Sequence, residues 1–147
     1  MRIALGSDHG GVQLKAAIVE HLTARGFDVD DVGVAPGEAA DYPDIAHVVA
    51  ERVLAGEAAR GVLICGTGQG MAMAANAHPG LRAAVVADTF SARMATEHND
   101  AKVLCMGERV IGVGLALACV DAWLDAEFEG GRHARRVAKI EPRRQER

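Results

Sequence analysis

Aromatic side chains are scarce in this 147-residue chain, with three Phe, one Tyr and one Trp. Its apolar half must therefore form a core mainly from Ala, Val, Leu and Ile. A chain of this length is expected to be one domain. Cysteine is also sparse. Cys65, Cys105 and Cys119 are odd in number and lack CxxC spacing, which argues against a disulfide framework or a cysteine zinc site. Free thiols suit a reducing cytosol. Basic excess is missing too. The net charge of −4 argues against a nucleic-acid partner, which selects a basic face. No charged leader precedes an apolar secretory core. No apolar run is long enough for a bilayer. A cytoplasmic protein with no membrane partner is expected.

What is present alternates. Ile3 to Leu5 reads as a buried strand, and Leu14, Ile18 and Leu22 form a helical stripe between Val12 and Arg25. Phe27–Val34 is the second strand. A loop from Pro36 to Pro43 leads to a helix from Asp44, which ends near Gly56. Gly61–Ile64 is a continuous apolar strand, as buried parallel strands are. Met71–Ala75 begins a helix that His78-Pro79-Gly80 stops. Leu81–Ala87 is a strand, Asp88 an N-cap for a helix to about His98, and Lys102–Met106 the fifth strand. A long apolar helix after Arg109 runs to about Phe128, apolar on more than one face and suited to both the sheet and a partner subunit. Residues 130–147 form a basic segment and a charged tail, expected to fray beyond Pro142. The pattern predicts a three-layer, Rossmann-like α/β/α sandwich on a parallel five-stranded sheet.

In such sheets ligands bind beyond the carboxyl ends of the strands. That rule gathers Asp8, His9, the Cys65–Gly70 loop, Asp88 and Arg109 at one rim. Gly66-Thr67-Gly68-Gln69-Gly70 joins a strand to a helix. It is no dinucleotide fingerprint, because Met71 stands where a third glycine belongs, and no Walker loop, because no Lys-Ser/Thr pair follows. Taken alone, it is either a packing turn or an anion cradle. Cys65 ends the strand beside a helix N-terminus, where thiols become reactive. Cys105 and Cys119 lack that setting and read as structural. Asp8 is either a helix cap or a site residue. His98-Asn99-Asp100 closes a helix, with Asn99 as its cap. Arg109, Arg132 and Arg136 are candidate phosphate ligands, since guanidinium forks match phosphate oxygens. Arg132 and Arg136 share a face if their segment is helical. His47 and His133 have no placement that favours chemistry, although His133 lies between two arginines. No His, Cys and carboxylate set shows metal-ligand spacing.

Six motifs in order, Gly6-Ser7-Asp8-His9-Gly10-Gly11, Asp41-Tyr42-Pro43, Ile64-Cys65-Gly66-Thr67-Gly68-Gln69-Gly70, Glu97-His98-Asn99-Asp100, Gly107-Glu108-Arg109-Val110 and Glu129-Gly130-Gly131-Arg132-His133, extend over nearly the whole chain. In them the sequence resembles the type B ribose-5-phosphate isomerases, whose family includes galactose-6-phosphate and allose-6-phosphate isomerases. The resemblance implies an aldose–ketose isomerisation through an enediolate, with no metal and no organic cofactor. It implies Cys65 as the base. Gly66, Gly68, Gly70 and Thr67 would hold the oxyanion. His98, assisted by Asp8, would open the ring, and Asn99 would contact hydroxyls. His9, Arg109, Arg132 and Arg136 would bind phosphate. It also implies a homodimer or homotetramer with shared sites, in which His98, Asn99 and Arg109 come from the partner. One branch uses a glutamate where this chain has Met71, so the chain fits the cysteine branch. Alternatives are the same chemistry on allose, galactose or tetrose phosphates, a non-catalytic phospho-sugar binding module, and a cysteine hydrolase.

Overall fold

The computed structural model describes residues 1–142. The expected fraying of the charged tail falls on residues 143–147, outside the described residues. Five strands form one sheet: β1 (Arg2–Ser7), β2 (Asp28–Asp31), β3 (Arg60–Cys65), β4 (Ala83–Val85) and β5 (Val103–Gly107). Their order is β2-β1-β3-β5-β4 and every pairing is parallel. Six helices connect and follow them: α1 (Val12–Ala24), α2 (Tyr42–Leu54), α3 (Gln69–Asn76), α4 (Thr89–Glu97), α5 (Val113–Asp125) and α6 (Arg132–Val137).

Side chains alternate across a strand, and here the alternation makes three layers. Ile3, Leu5, Val62, Ile64, Leu104 and Met106 face one core with residues of α1, α4 and α5. Ala4, Leu63, Cys65, Val103 and Cys105 face the other with α2 and α3. Successive apolar strand residues thus serve opposite cores, which is why β3 and β5 read as unbroken apolar runs. The chain moves outward from β1 to β2, then returns to β3 on the other side. The loops after β1 and β3 consequently diverge to opposite faces and leave a crevice between them.

Several element bounds differ from the sequence expectation. α2 starts at Tyr42, because Pro43 falls in the first turn, where its missing N–H is no loss. β2 and β4 are shorter than their apolar runs. α5 starts at Val113 and stops at Asp125, after which Ala126 is extended. Asp100, not Asn99, takes the left-handed conformation after α4, with φ of 49°.

Both sheet edges are guarded. On β2, Asp28, Asp30 and Asp31 pair with Arg2, Arg52 and Lys15. On β4, the Asn76 amide imitates a neighbouring strand. Its Nδ2 donates to the Ala83 carbonyl and its Oδ1 accepts from the Ala83 N–H, each at 2.8 Å. α4 and α5 are tied by Thr96 Oγ1, which donates to the buried Trp123 carbonyl at 2.7 Å.

Candidate active site

At the carboxyl rim β3 ends on Cys65, which is only 5% exposed. Its Sγ accepts the Gly68 N–H at 3.1 Å. Gly68 caps α3 in the left-handed region, at φ of 83°. A Cβ there would lie 3.0 Å from the Met106 carbonyl carbon, so only glycine meets both demands. Gly107 provides the other close approach. A Cβ on it would stand 2.6 Å from Thr67 Cα. The Gly107-Glu108-Arg109 turn can therefore press against the loop. It holds the loop through Glu108 N–H to Cys65 O at 2.9 Å and Arg109 N–H to Gly66 O at 3.1 Å.

The glycine loop divides at Gln69, where α3 begins. Gly66, Thr67 and Gly68 form the turn beside the thiol. Gly70 lies inside the helix and makes room for Tyr42, whose ring carbon would be 2.6 Å from a Cβ there. Its part in the site is thus through space for Tyr42 and through the first-turn N–H groups of α3, which lack intrahelical acceptors. Asp8 follows β1, is buried, and accepts the Gly10 N–H at 2.9 Å. A Cβ on Gly10 would touch both Asp8 Oδ1, at 3.2 Å, and Gly66 N, at 3.4 Å, so the Asp8 carboxylate adjoins the Cys65 loop. His9 is exposed beside Asp8 and, with Glu108, lines a cavity of about 400 Å³. Glu108 also accepts the Leu14 N–H of the first turn of α1 at 2.7 Å. The Arg109 side chain lies along Gly66, its Cδ 3.6 Å from where a Cβ would be.

The remaining candidates lie elsewhere. β4 and β5 run parallel, so α4 returns from the carboxyl rim to the amino rim, and His98 and Asn99 follow its last turn. The length of β5, roughly 15 Å, separates them from Cys65 within one chain. Glu129 N–H donates to the Glu97 carbonyl at 3.0 Å and brings α6 to the same rim. There the rings of His98 and His133 stack, with centroids 4.1 Å apart and planes 10° from parallel. Arg132 and Arg136 are on α6, as helical spacing required. A cavity of about 250 Å³ is lined by His98, Asn99, His133 and Arg136. Burial, with His98 and Arg132 adding to it and Glu129 opposing, holds His133 below the ordinary histidine range.

The twelve candidates thus form two groups at opposite rims. Asp8, His9, Cys65, Gly66, Thr67, Gly68, Gly70 and Arg109 make one. His98, Asn99, Arg132 and Arg136 make the other. The strand-end rule placed Arg109 with the Cys65 loop, whereas the family resemblance implied that it comes from the partner with His98 and Asn99. Within this chain its backbone is anchored to Gly66, while Arg132 and Arg136 accompany His98. His133 is the residue that sequence reasoning set aside and the structure brings in, buried against His98. Glu129 reaches both histidines, to 3.8 Å and 3.7 Å. Linear spacing hides this trio, because α5 ends between its first member and the other two. Tyr42 was visible only as part of a motif, and its seat on Gly70 had no local signal.

The ribose/galactose isomerase profile matches residues 3–140. The chain is 50% identical over 139 residues to ribose-5-phosphate isomerase B of Escherichia coli, covering 95% of this chain and 93% of that protein. It is 45% identical over 141 residues to D-erythrulose-4-phosphate isomerase of Pectobacterium atrosepticum, covering 95% and 93%. Among solved structures, ribose-5-phosphate isomerase B of Clostridium thermocellum superposes with a TM-score of 0.94 at 56% identity, covering 95% of each chain.

Proposed function

Since the chain belongs to the ribose/galactose isomerase family, we propose that it interconverts ribose 5-phosphate and ribulose 5-phosphate by moving a proton between C1 and C2 through an enediolate. The observation that carries this reading is Cys65 Sγ, at the carboxyl end of β3 and 3.1 Å from the Gly68 N–H. A proton beside a carbonyl is weakly acidic. Its removal needs a base at contact distance and donors aimed at the developing oxyanion. Cys65 is the base in this reading. The turn of Gly66, Thr67 and Gly68, with the first-turn N–H groups of α3, supplies the donors. One such donor is worth about 10²–10³ in rate. Asp8, beside the same turn, assists His98 in opening the ring, and Asn99 binds hydroxyls. His9, Arg109, Arg132 and Arg136 take the phosphate, whose binding energy positions the sugar.

The opposite-rim placement supports a site shared between two subunits, one giving the Cys65 group and the other the His98 group. Arg109 then belongs with Cys65. The expected result for Cys65→Ala is loss of turnover with ribose 5-phosphate still bound, read by calorimetry. Full activity in that variant removes the base assignment. Co-expressing Cys65→Ala with His98→Ala restores one intact site in each mixed dimer, about a quarter of wild-type activity for random twofold pairing. No recovery means each chain builds its own site.

The 45% identity to an erythrulose-4-phosphate isomerase favours a second reading, the same chemistry on a four-carbon sugar. Comparing kcat/KM for ribose, allose, galactose and erythrose phosphates decides between them. The first reading fails if ribose 5-phosphate is the poorest substrate.

A further inference from the structure

The amino-rim cluster contains a donor set of which only His98 has a role in the isomerisation proposed above. One ligand atom each from His98, Glu129 and His133 lies within 4.8 Å of the others. The Glu129 oxygens approach His98 Nε2 at 3.8 Å and His133 Nε2 at 3.7 Å, too far for hydrogen bonds. His133 is only 6% exposed, and its Nε2 is buried with no partner. A buried polar atom left in that state is a free-energy cost that a ligand removes.

We propose that His98, Glu129 and His133 form a binding site for a divalent transition-metal ion of the zinc class. Two imidazoles and one carboxylate are the protein ligands of one well-known type of open zinc site. A single carboxylate does not satisfy calcium or magnesium, which take about six oxygens. Imidazole suits zinc, copper, iron and nickel instead. On a tetrahedral ion with bonds of ~2.0–2.1 Å, ligand atoms sit about 3.4 Å apart, so the three must close by somewhat more than 1 Å. The stacked rings cannot both aim at one ion as they stand. His98 is the ring that turns. Its side chain is 37% exposed, follows the last turn of α4 and makes no hydrogen bond within the described residues. The fourth coordination position opens on the 250 Å³ cavity. Arg136 lines that cavity and Arg132 lies close enough to act on His133, and both charges favour an anion there. An ion so held occupies the His98 ring and inhibits turnover. That inhibition rests on the ring-opening role proposed above, and the metal site itself does not.

The test uses the full-length Cys65→Ser protein, which removes the competing thiolate. Calorimetry with Zn²⁺ is expected to give one ion per chain. Co²⁺ is expected to give tetrahedral visible absorption with no thiolate charge-transfer band. Glu129 is exposed, so Glu129→Gln is a mild change, and it should weaken Zn²⁺ by about tenfold or more. His133→Gln should do the same, with circular dichroism verifying its fold. Unchanged Zn²⁺ affinity in a folded Glu129→Gln protein overturns the site. In otherwise unmodified enzyme, Zn²⁺ should inhibit ribose 5-phosphate turnover, and Glu129→Gln should raise the inhibitory concentration about tenfold. Binding as expected with no Glu129-dependent inhibition upholds the metal site and refutes the role given to His98.

Discussion

Replacing Gly107 by alanine tests whether the position of the Cys65 loop sets the rate. The added Cβ would meet Thr67 Cα and C at 2.6 Å and Gly66 O at 2.8 Å. All three are backbone atoms, so no side-chain rotation relieves the clash. Ordinary contact begins at 3.4 Å, and the loop must yield by about 0.8 Å. It cannot move alone, because Cys65 O and Gly66 O are bonded to the turn that carries the new methyl. A misplacement near 1 Å costs about 10²-fold in rate, or roughly 2.7 kcal/mol on the barrier. Overpacking should cost about 1–3 kcal/mol of stability. Gly61→Ala is the control. Its Cβ would meet Val49 Cγ1, also at 2.6 Å, but that is a side-chain atom at the amino end of β3. Ribose 5-phosphate turnover and urea unfolding should be measured on both variants. The expected outcome is comparable destabilisation, with kcat falling about 10²-fold only in Gly107→Ala. Wild-type kcat/KM in Gly107→Ala, or an equal loss in Gly61→Ala, refutes the reasoning.

Thiol reactivity should separate the cysteines. Burial raises the Cys105 thiol well above its ordinary range, with the nearby Cys65 adding to it, and burial also raises Cys119. Iodoacetamide is therefore expected to modify Cys65 first, with ribose 5-phosphate slowing the reaction, as peptide mass spectrometry would report; first labelling at Cys119 contradicts this. Asn76→Ala removes both edge bonds to Ala83 and should cost about 1–2 kcal/mol in chemical denaturation, with more association at high concentration. Asp88 caps α4 by accepting the Ser91 N–H at 2.7 Å and its hydroxyl at 2.8 Å, and these bonds lower its pKa. A lowered carboxyl contributes stability above its unfolded pKa and loses it as pH falls through the folded value. The melting-temperature gap between wild type and Asp88→Ala should thus be widest at neutral pH and shrink as the pH falls below the ordinary aspartate value of about 3.9.

The parallel sheet was legible because β1, β3 and β5 are buried on both faces and carry continuous apolar side chains. The Cys65 loop was legible for a local reason, an apolar strand halting at a run of glycines. Helix ends were less so. Pro43 looked like the end of a loop, yet Pro is at home in a first helical turn. The partition of the site was not legible in the residues themselves; only the family resemblance implied that His98 and Asn99 come from a second subunit. Nothing in the order of residues says that His98 and Cys65 lie at opposite ends of parallel strands, since that depends on where α4 returns. Arg109 was legible at the Cys65 rim from its place after β5, but its anchor, the Gly66 carbonyl, is a backbone contact with no side-chain signature. His133 looked like one more charge in a basic turn, and only the crossing of α6 over the end of α4 buries it.

The two-rim arrangement has a consequence for enzyme kinetics. A chain with Cys65 at one end of its sheet and His98 at the other cannot bring both to the same five-carbon sugar. In the shared-site reading, folding alone yields no catalyst, and twofold association creates two sites at once. Specific activity then depends on protein concentration. It stays level while subunits are paired and falls on dilution, even though every chain remains fully folded by circular dichroism.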